Sequence, residues 1–111
     1  MSAMLLSIKP QYAEMIIKGT KKYEFRTRKC RDDIKKIIFY ATAPKSQVVG
    51  EAEIECVLEG TPTEIWKKTK FGSGIPASFF KEYYKNREVA VAYKLAIKPY
   101  MRFRHPGTTY Q

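Results

Sequence analysis

Apolar residues recur along this chain in two rhythms. Met4-Leu5-Leu6-Ser7-Ile8 is a short apolar run that predicts a first strand. Pro10 suits the opening turn of a helix, where its missing N–H costs nothing. Tyr12, Ala13, Ile16 and Ile17 then share one helical face, and Gly19 supplies the stop. Alternation follows from Lys22 to about Arg28. Tyr23 and Phe25 point one way, and Lys22, Glu24, Arg26 and Arg28 the other, which predicts a strand with one buried and one exposed, cationic face. Cys30 to Asp33 reads as a polar turn. Lys36 to Ala41 is apolar on both faces and therefore a central strand. From Val48 to Leu58, a row of Val49, Ala52, Ile54, Cys56 and Leu58 alternates with Glu51, Glu53 and Glu55, and a slip near Gly50 predicts a bulge.

Thr61-Pro62-Thr63-Glu64 has the residues of a helix start, with a threonine cap and proline in the first turn, leading through Ile65 and Trp66 to about Thr69. Phe71-Gly72-Ser73-Gly74 reads as a flexible loop, and Pro76 opens another helix through Phe79, Phe80, Tyr83 and Tyr84. The helical spacing of these aromatics and Trp66 points to core. Glu88 to Ile97 is a last long strand. The order β-α-β-β-β-α-α-β, with short connections, predicts an α+β fold: a strongly bent mixed or antiparallel sheet, or a small barrel, with helices covering its open ends. One domain is expected over 1–111, with its core at about 4–98 and a loosely specified basic tail over 99–111.

The charge changes this picture. Twenty-one Lys and Arg against 11 Asp and Glu give +10, on a chain that is 44% hydrophobic and 14% aromatic and so expected to fold. Nine cations and three acids lie between Lys18 and Lys36, and no acid follows Glu88. So polarised a surface fits a nucleic acid or another polyanion. Glu51, Glu53 and Glu55 offer a plainer account if they lie across from the basic strand and neutralise it. No apolar run is long enough to span a membrane, and a cytoplasmic protein is expected. Cys30 and Cys56 read as free thiols. With one histidine and no paired cysteine motif, a zinc site lacks ligands.

Leu5-Leu6-Ser7-Ile8-Lys9-Pro10, Ile17-Lys18-Gly19-Thr20-Lys21-Lys22-Tyr23-Glu24-Phe25-Arg26, Tyr40-Ala41-Thr42-Ala43-Pro44 and Val49-Gly50-Glu51, with Trp66, Gly74-Ile75 and Phe80 to Tyr83 beyond them, are similar to the ASCH domain family of the PUA-like class. The resemblance implies a small β-barrel with a cleft beside the first helix and the Gly19-x-Lys21 strand. It also implies binding of RNA or a modified nucleotide, with a link to translation or transcription. DNA remains a possible competitor, and no cofactor is implied. Some members of the family are small amidohydrolases on acylated cytidine, and some relatives look like ribonucleases. Lys21 matches the hydrolase lysine. Glu24 stands where those enzymes have threonine, and the loop Phe71 to Gly74 lacks their glutamate.

On the binding reading, Lys21, Lys22, Arg26 and Arg28 contact phosphate and Glu24 positions them or reads a base edge. Ser7, Lys9 and Ser73 line the cleft, and Phe71 is a candidate stacking aromatic on a mobile flap. On the catalytic reading, Lys21 and Glu24 form an acid–base pair. Surrounding cations are expected to lower the Glu24 pKa and make it a poor acid. A third reading is a protein-interaction module. His105 has no assigned role.

Overall fold

The computed structural model describes residues 2–96. The end of the last expected strand at Ile97 and the basic tail with Lys98, Arg102, Arg104 and His105 lie outside the described residues. Five strands and three helices follow in chain order: β1 (Ser2–Ile8), α1 (Pro10–Lys18), β2 (Tyr23–Arg26), β3 (Ile34–Ala41), β4 (Gln47–Gly60), α2 (Pro62–Thr69), α3 (Ala77–Tyr83) and β5 (Ala90–Ala96). They form one mixed sheet in the order β1-β3-β4-β5-β2. Only the β1–β3 pairing is parallel, because α1 and β2 intervene in sequence and carry the chain back to the same end. The curled sheet has β1 at one margin and β2 at the other, an α+β half-barrel as the pattern predicts. Among the described residues no helix is long and apolar enough to cross a membrane.

Each sheet face meets its own helices. Ile37, Phe39, Val49, Ala52, Val91 and Tyr93 pack on Ala13 and Ile16 of α1. The opposite face, at the β2–β5 end, packs Phe25, Ala90 and Ala92 on Ile65 of α2 and on Phe80 and Tyr84 of α3. This division overturns the expected exposed face of β2. Glu24 sits opposite Tyr93, on the face covered by α1, and Phe25 sits opposite Ala92, on the face covered by α3. Both are buried, because a strand covered on two sides has no solvent face for its alternate residues. The strand is also shorter than the alternation predicts, ending at Arg26.

The bulge expected near Gly50 is present. Phe39 pairs with Gly50 and Tyr40 with Val48, leaving Val49 as the extra residue. A second bulge leaves Glu55 unpaired between Ile54 and Cys56. It reverses the alternation, so Cys56 is exposed rather than inward, and Val57 packs on the core instead. The β4 glutamates do not neutralise β2, because β5 stands between the two strands. Glu51 pairs with Lys36 of β3 and Glu55 with Lys94 of β5. Thr61 caps α2 through a reciprocal capping box with Glu64.

Candidate functional site

Three segments remote in sequence bring the site together. α1 ends at Gly19, whose φ of +85° lets the chain reverse. The Thr20 and Lys21 N–H groups then both donate to Met15 O, at 3.0 and 3.1 Å. This fixes Lys21 against the helix end before β2 begins. From the other side, Lys22 N–H donates to Gly72 O at 2.7 Å and the Lys21 ammonium donates to Ser73 O at 2.7 Å. The segment expected to be a mobile flap is thus folded onto Lys21. Gly74, at φ +71°, lies so close that a Cβ there would stand 2.7 Å from Lys21 Cβ. The Ser73 side chain is buried and bonded to Lys70 O and Ile75 O, so Ser73 supports Lys21 and does not itself line the cleft.

Lys21, Glu24 and Arg26 form one side of a cavity of about 160 Å³. Its walls are aromatic and apolar: Tyr12 from α1, Phe25 from β2, Ile75, and Phe79 and Tyr83 from α3. Ser7 and Ile8 at the end of β1 complete the rim. The cavity therefore occupies the gap between the two sheet margins. The Lys21 Nζ lies 4.9 Å from the Phe25 ring centroid and 5.7 Å from that of Tyr12. Arg26 donates to Glu24 Oε2 at 2.8 Å and reaches across the gap to Ser7 O at 3.4 Å. Its Nε–H is buried without an acceptor.

Burial controls the electrostatics. Lys21 is 3% exposed. Desolvation pulls its pKa down to about 8, with Glu24 opposing and Arg26 adding to the shift. Glu24 is 7% exposed, and desolvation pushes its carboxyl up despite Arg26 and Lys21. The expected lowering of the Glu24 pKa is therefore reversed: removal from water outweighs the surrounding cations. Burial also raises the Tyr83 hydroxyl, which donates to Phe25 O at 3.4 Å.

Four of the expected site residues thus come together: Ser7, Lys21, Glu24 and Arg26. Lys9, Lys22 and Arg28 are exposed and outside the cavity wall. Tyr12, Phe79 and Tyr83 are wall residues that a core assignment overlooks. Phe80 and Tyr84, one position along on α3, are core as expected. The signal that separates them is the phase of α3, whose two faces serve the cavity and the core. Among the described residues no three His, Cys, Asp or Glu side chains cluster as metal ligands.

The family model for the ASCH domain matches residues 6–99. An ASCH domain-containing ribonuclease from Zymomonas mobilis is 28% identical over 92 residues, covering 82% of this chain and 62% of that protein. The crystal structure of ASCH from Zymomonas mobilis superposes with a TM-score of 0.78 at 28% identity, over 84% of this chain and 66% of the other. Large ribosomal subunit protein uL22 of Ureaplasma parvum is 27% identical over 104 residues, which is 93% of this chain and 33% of that protein. The chain thus spans less than two thirds of the length of these curated relatives.

Proposed function

This chain belongs to the ASCH domain family, and from that premise we propose that it binds RNA by taking one nucleobase into the cavity between β1 and β2. The observation that carries this reading is the cluster of buried Lys21 and Glu24 with half-buried Arg26 beside aromatic walls. Buried charge is expensive unless a partner completes it. A cavity of about 160 Å³ is smaller than the roughly 300–1,000 Å³ of drug-sized sites, so it suits one flat ring system. Tyr12, Phe25 and Tyr83 offer ring faces. The Glu24 carboxyl, the remaining Lys21 N–H groups and Arg26 supply donors and acceptors for the base edge. Lys9 and Arg28 are exposed and in this reading act outside the cavity, on the flanking phosphates.

The test is fluorescence anisotropy with short single-stranded RNA, duplex RNA and DNA at two salt concentrations. Salt-sensitive binding of single-stranded RNA, strongly weakened by Arg26→Ala, is expected. Equal affinity of the variant would remove the cavity from the account, and preference for DNA would change the ligand class.

A second reading, RNA cleavage, is favoured by the opposed pKa movements of Lys21 and Glu24. With a pKa of about 8, roughly a tenth of Lys21 is the free amine at pH 7 and can act as a base. Burial moves the Glu24 carboxyl upward, towards the range of an acid, and Glu24 lines the same cavity. In this scheme the 2′-oxygen of the held nucleotide bonds to the adjacent phosphorus as Lys21 takes its proton. The P–O5′ bond breaks as Glu24 protonates the departing oxygen. The Zymomonas mobilis relative named a ribonuclease supports this class of reaction. A gel assay with Glu24→Gln tests it: cleavage should fall at least about a hundredfold while binding survives. Undiminished cleavage would exclude Glu24 as the acid.

A further inference from the structure

Behind α3, on the side away from the cavity, α2 and α3 enclose a groove of about 420 Å³. Trp66, Phe80 and Tyr84 line it, together with Lys67, Lys70 and Lys81, and no acidic residue does. Trp66 is half-buried against Phe80, with ring centroids 4.8 Å apart. Among the described residues none of the three lysines forms an ion pair with a carboxylate. The hydrogen bonds from Thr61 hold the Glu64 carboxyl below its ordinary pKa, and Lys68 and Lys67 add to this without an ion-pair contact. Beside the groove, Phe71 is 96% exposed, and the Lys70 ammonium stands 5.2 Å from its ring centroid. This ring gains almost no burial from the fold, and among the described residues the Lys70 contact is the one favourable interaction shown for it.

We infer that this groove is a second contact site for the same single-stranded RNA, with bases stacking on Phe71 and against Trp66 and phosphates meeting Lys67, Lys70 and Lys81. The inference rests on the RNA reading of the cavity and extends it. Sequence-tolerant single-strand binding combines cations that follow the backbone with aromatic faces that take successive bases, and this surface presents both. The charge pattern selects a polyanion, and the rings select one that carries bases. Geometry links the two sites. Phe79 and Tyr83 line the cavity, while exposed Lys81 and the edges of the buried Phe80 and Tyr84 line the groove, so α3 contributes to both. A helix with its side chains is about 10–12 Å across, a width that a few nucleotides traverse. The cavity then selects one base, and the groove holds the strand that leads to it.

Trp66 is the only tryptophan, so its fluorescence reads the groove directly. The experiment titrates oligouridylate of about ten nucleotides, within the usual single-strand site size, and, followed by calorimetry, uridine monophosphate into three proteins. These are the parent, Arg26→Ala, and the groove variant Lys67→Ser/Lys70→Ser/Lys81→Ser/Phe71→Ala, whose fold is checked by circular dichroism. The oligonucleotide should quench Trp66 in the parent. The groove variant should lose roughly tenfold or more in oligonucleotide affinity, with its log–log salt slope reduced by about 2 for three contacts. Its affinity for the monophosphate should be unchanged. Unaltered oligonucleotide affinity and slope in the groove variant would overturn the inference and assign the groove to another partner, such as an acidic peptide. If Arg26→Ala leaves monophosphate binding intact while the groove variant loses the oligonucleotide, the cavity reading fails and the groove stands.

Discussion

Replacing Lys21 with methionine should make the domain more stable at neutral pH and less able to bind RNA. Lys21 is 3% exposed, and burial takes its pKa from 10.5 to about 8. At about 1.36 kcal/mol per pKa unit, keeping the ammonium charged costs about 3 kcal/mol relative to a lysine in water. Methionine fills a similar volume without the charge. The substitution loses the bond to Ser73 O, worth about 1 kcal/mol. Glu24 loses one nearby cation and keeps Arg26 at 2.8 Å. The expected gain at pH 7 is therefore about 2 kcal/mol.

The sign of the pH dependence follows from the lowered pKa. Between about 8 and 10.5 the unfolded chain holds a proton on Lys21 that the folded chain has released. Stability of the parent therefore rises through that interval. The variant lacks this increment, so its advantage should shrink above pH 8 and vanish by about pH 10. Titrating groups remote from Lys21 cancel in the comparison, and Glu24, whose carboxyl Lys21 helps to lower, does not. Urea unfolding followed by Trp66 fluorescence at several pH values measures it. A variant less stable than the parent at pH 7, by an amount independent of pH, would refute the claim that desolvation dominates at Lys21.

Three further outcomes follow from the same contacts. Gly74→Ala should cost about 1–2 kcal/mol for the left-handed backbone alone, and its Cβ would displace Lys21. NMR titration should then find the lysine pKa moved back towards 10.5, and an unmoved value would contradict the packing described. Tyr84→Phe removes the hydroxyl that donates to Arg26 O at 2.8 Å, with Val91 O at 3.2 Å. Denaturant unfolding should show a loss of about 1–2 kcal/mol. Thr61→Ala breaks the capping box of α2 and should cost about 1 kcal/mol, while calorimetric titration with uridine monophosphate should find cavity affinity unchanged.

Local order was legible from residue pattern because local rules govern it. Pro10 and Gly19 delimit α1, a threonine at 61 or 63 marks the cap of α2, filled in the structure by Thr61, and the bulge at Val49 shows as a slip in alternation. The family resemblance rested on similar local runs, above all Gly19-Thr20-Lys21. The failures came where distant segments meet. Nothing near Glu24 in sequence reveals that α1 covers one face of β2 and α3 the other, so its amphipathic alternation looks half-exposed. The Glu24 pKa turns on the same packing: sequence shows the neighbouring cations, and the loss of water that outweighs them depends on elements distant in the chain. Tyr12, Phe79 and Tyr83 were hidden for another reason, since an aromatic row at helical spacing looks alike whether it faces a core or a cavity. The second bulge at Glu55 leaves no gap in its row of glutamates and so has no sequence signature.

The half-barrel is an unclosed ring, and its opening lies where β1 and β2 approach without pairing, joined by the Arg26 reach to Ser7 O. Any molecule seated there acts as the clasp of that ring, because it touches both ends of the strand order at once. Filling the opening should slow amide exchange along both margins together, including residues of β1 and β2 that never meet the ligand. At a hundredfold excess over Kd, about 2.7 kcal/mol of binding energy passes into the stability of the whole sheet. Leaving the ring open would couple the stability of the domain to anything that binds in the opening, a coupling that a fully closed barrel would not have.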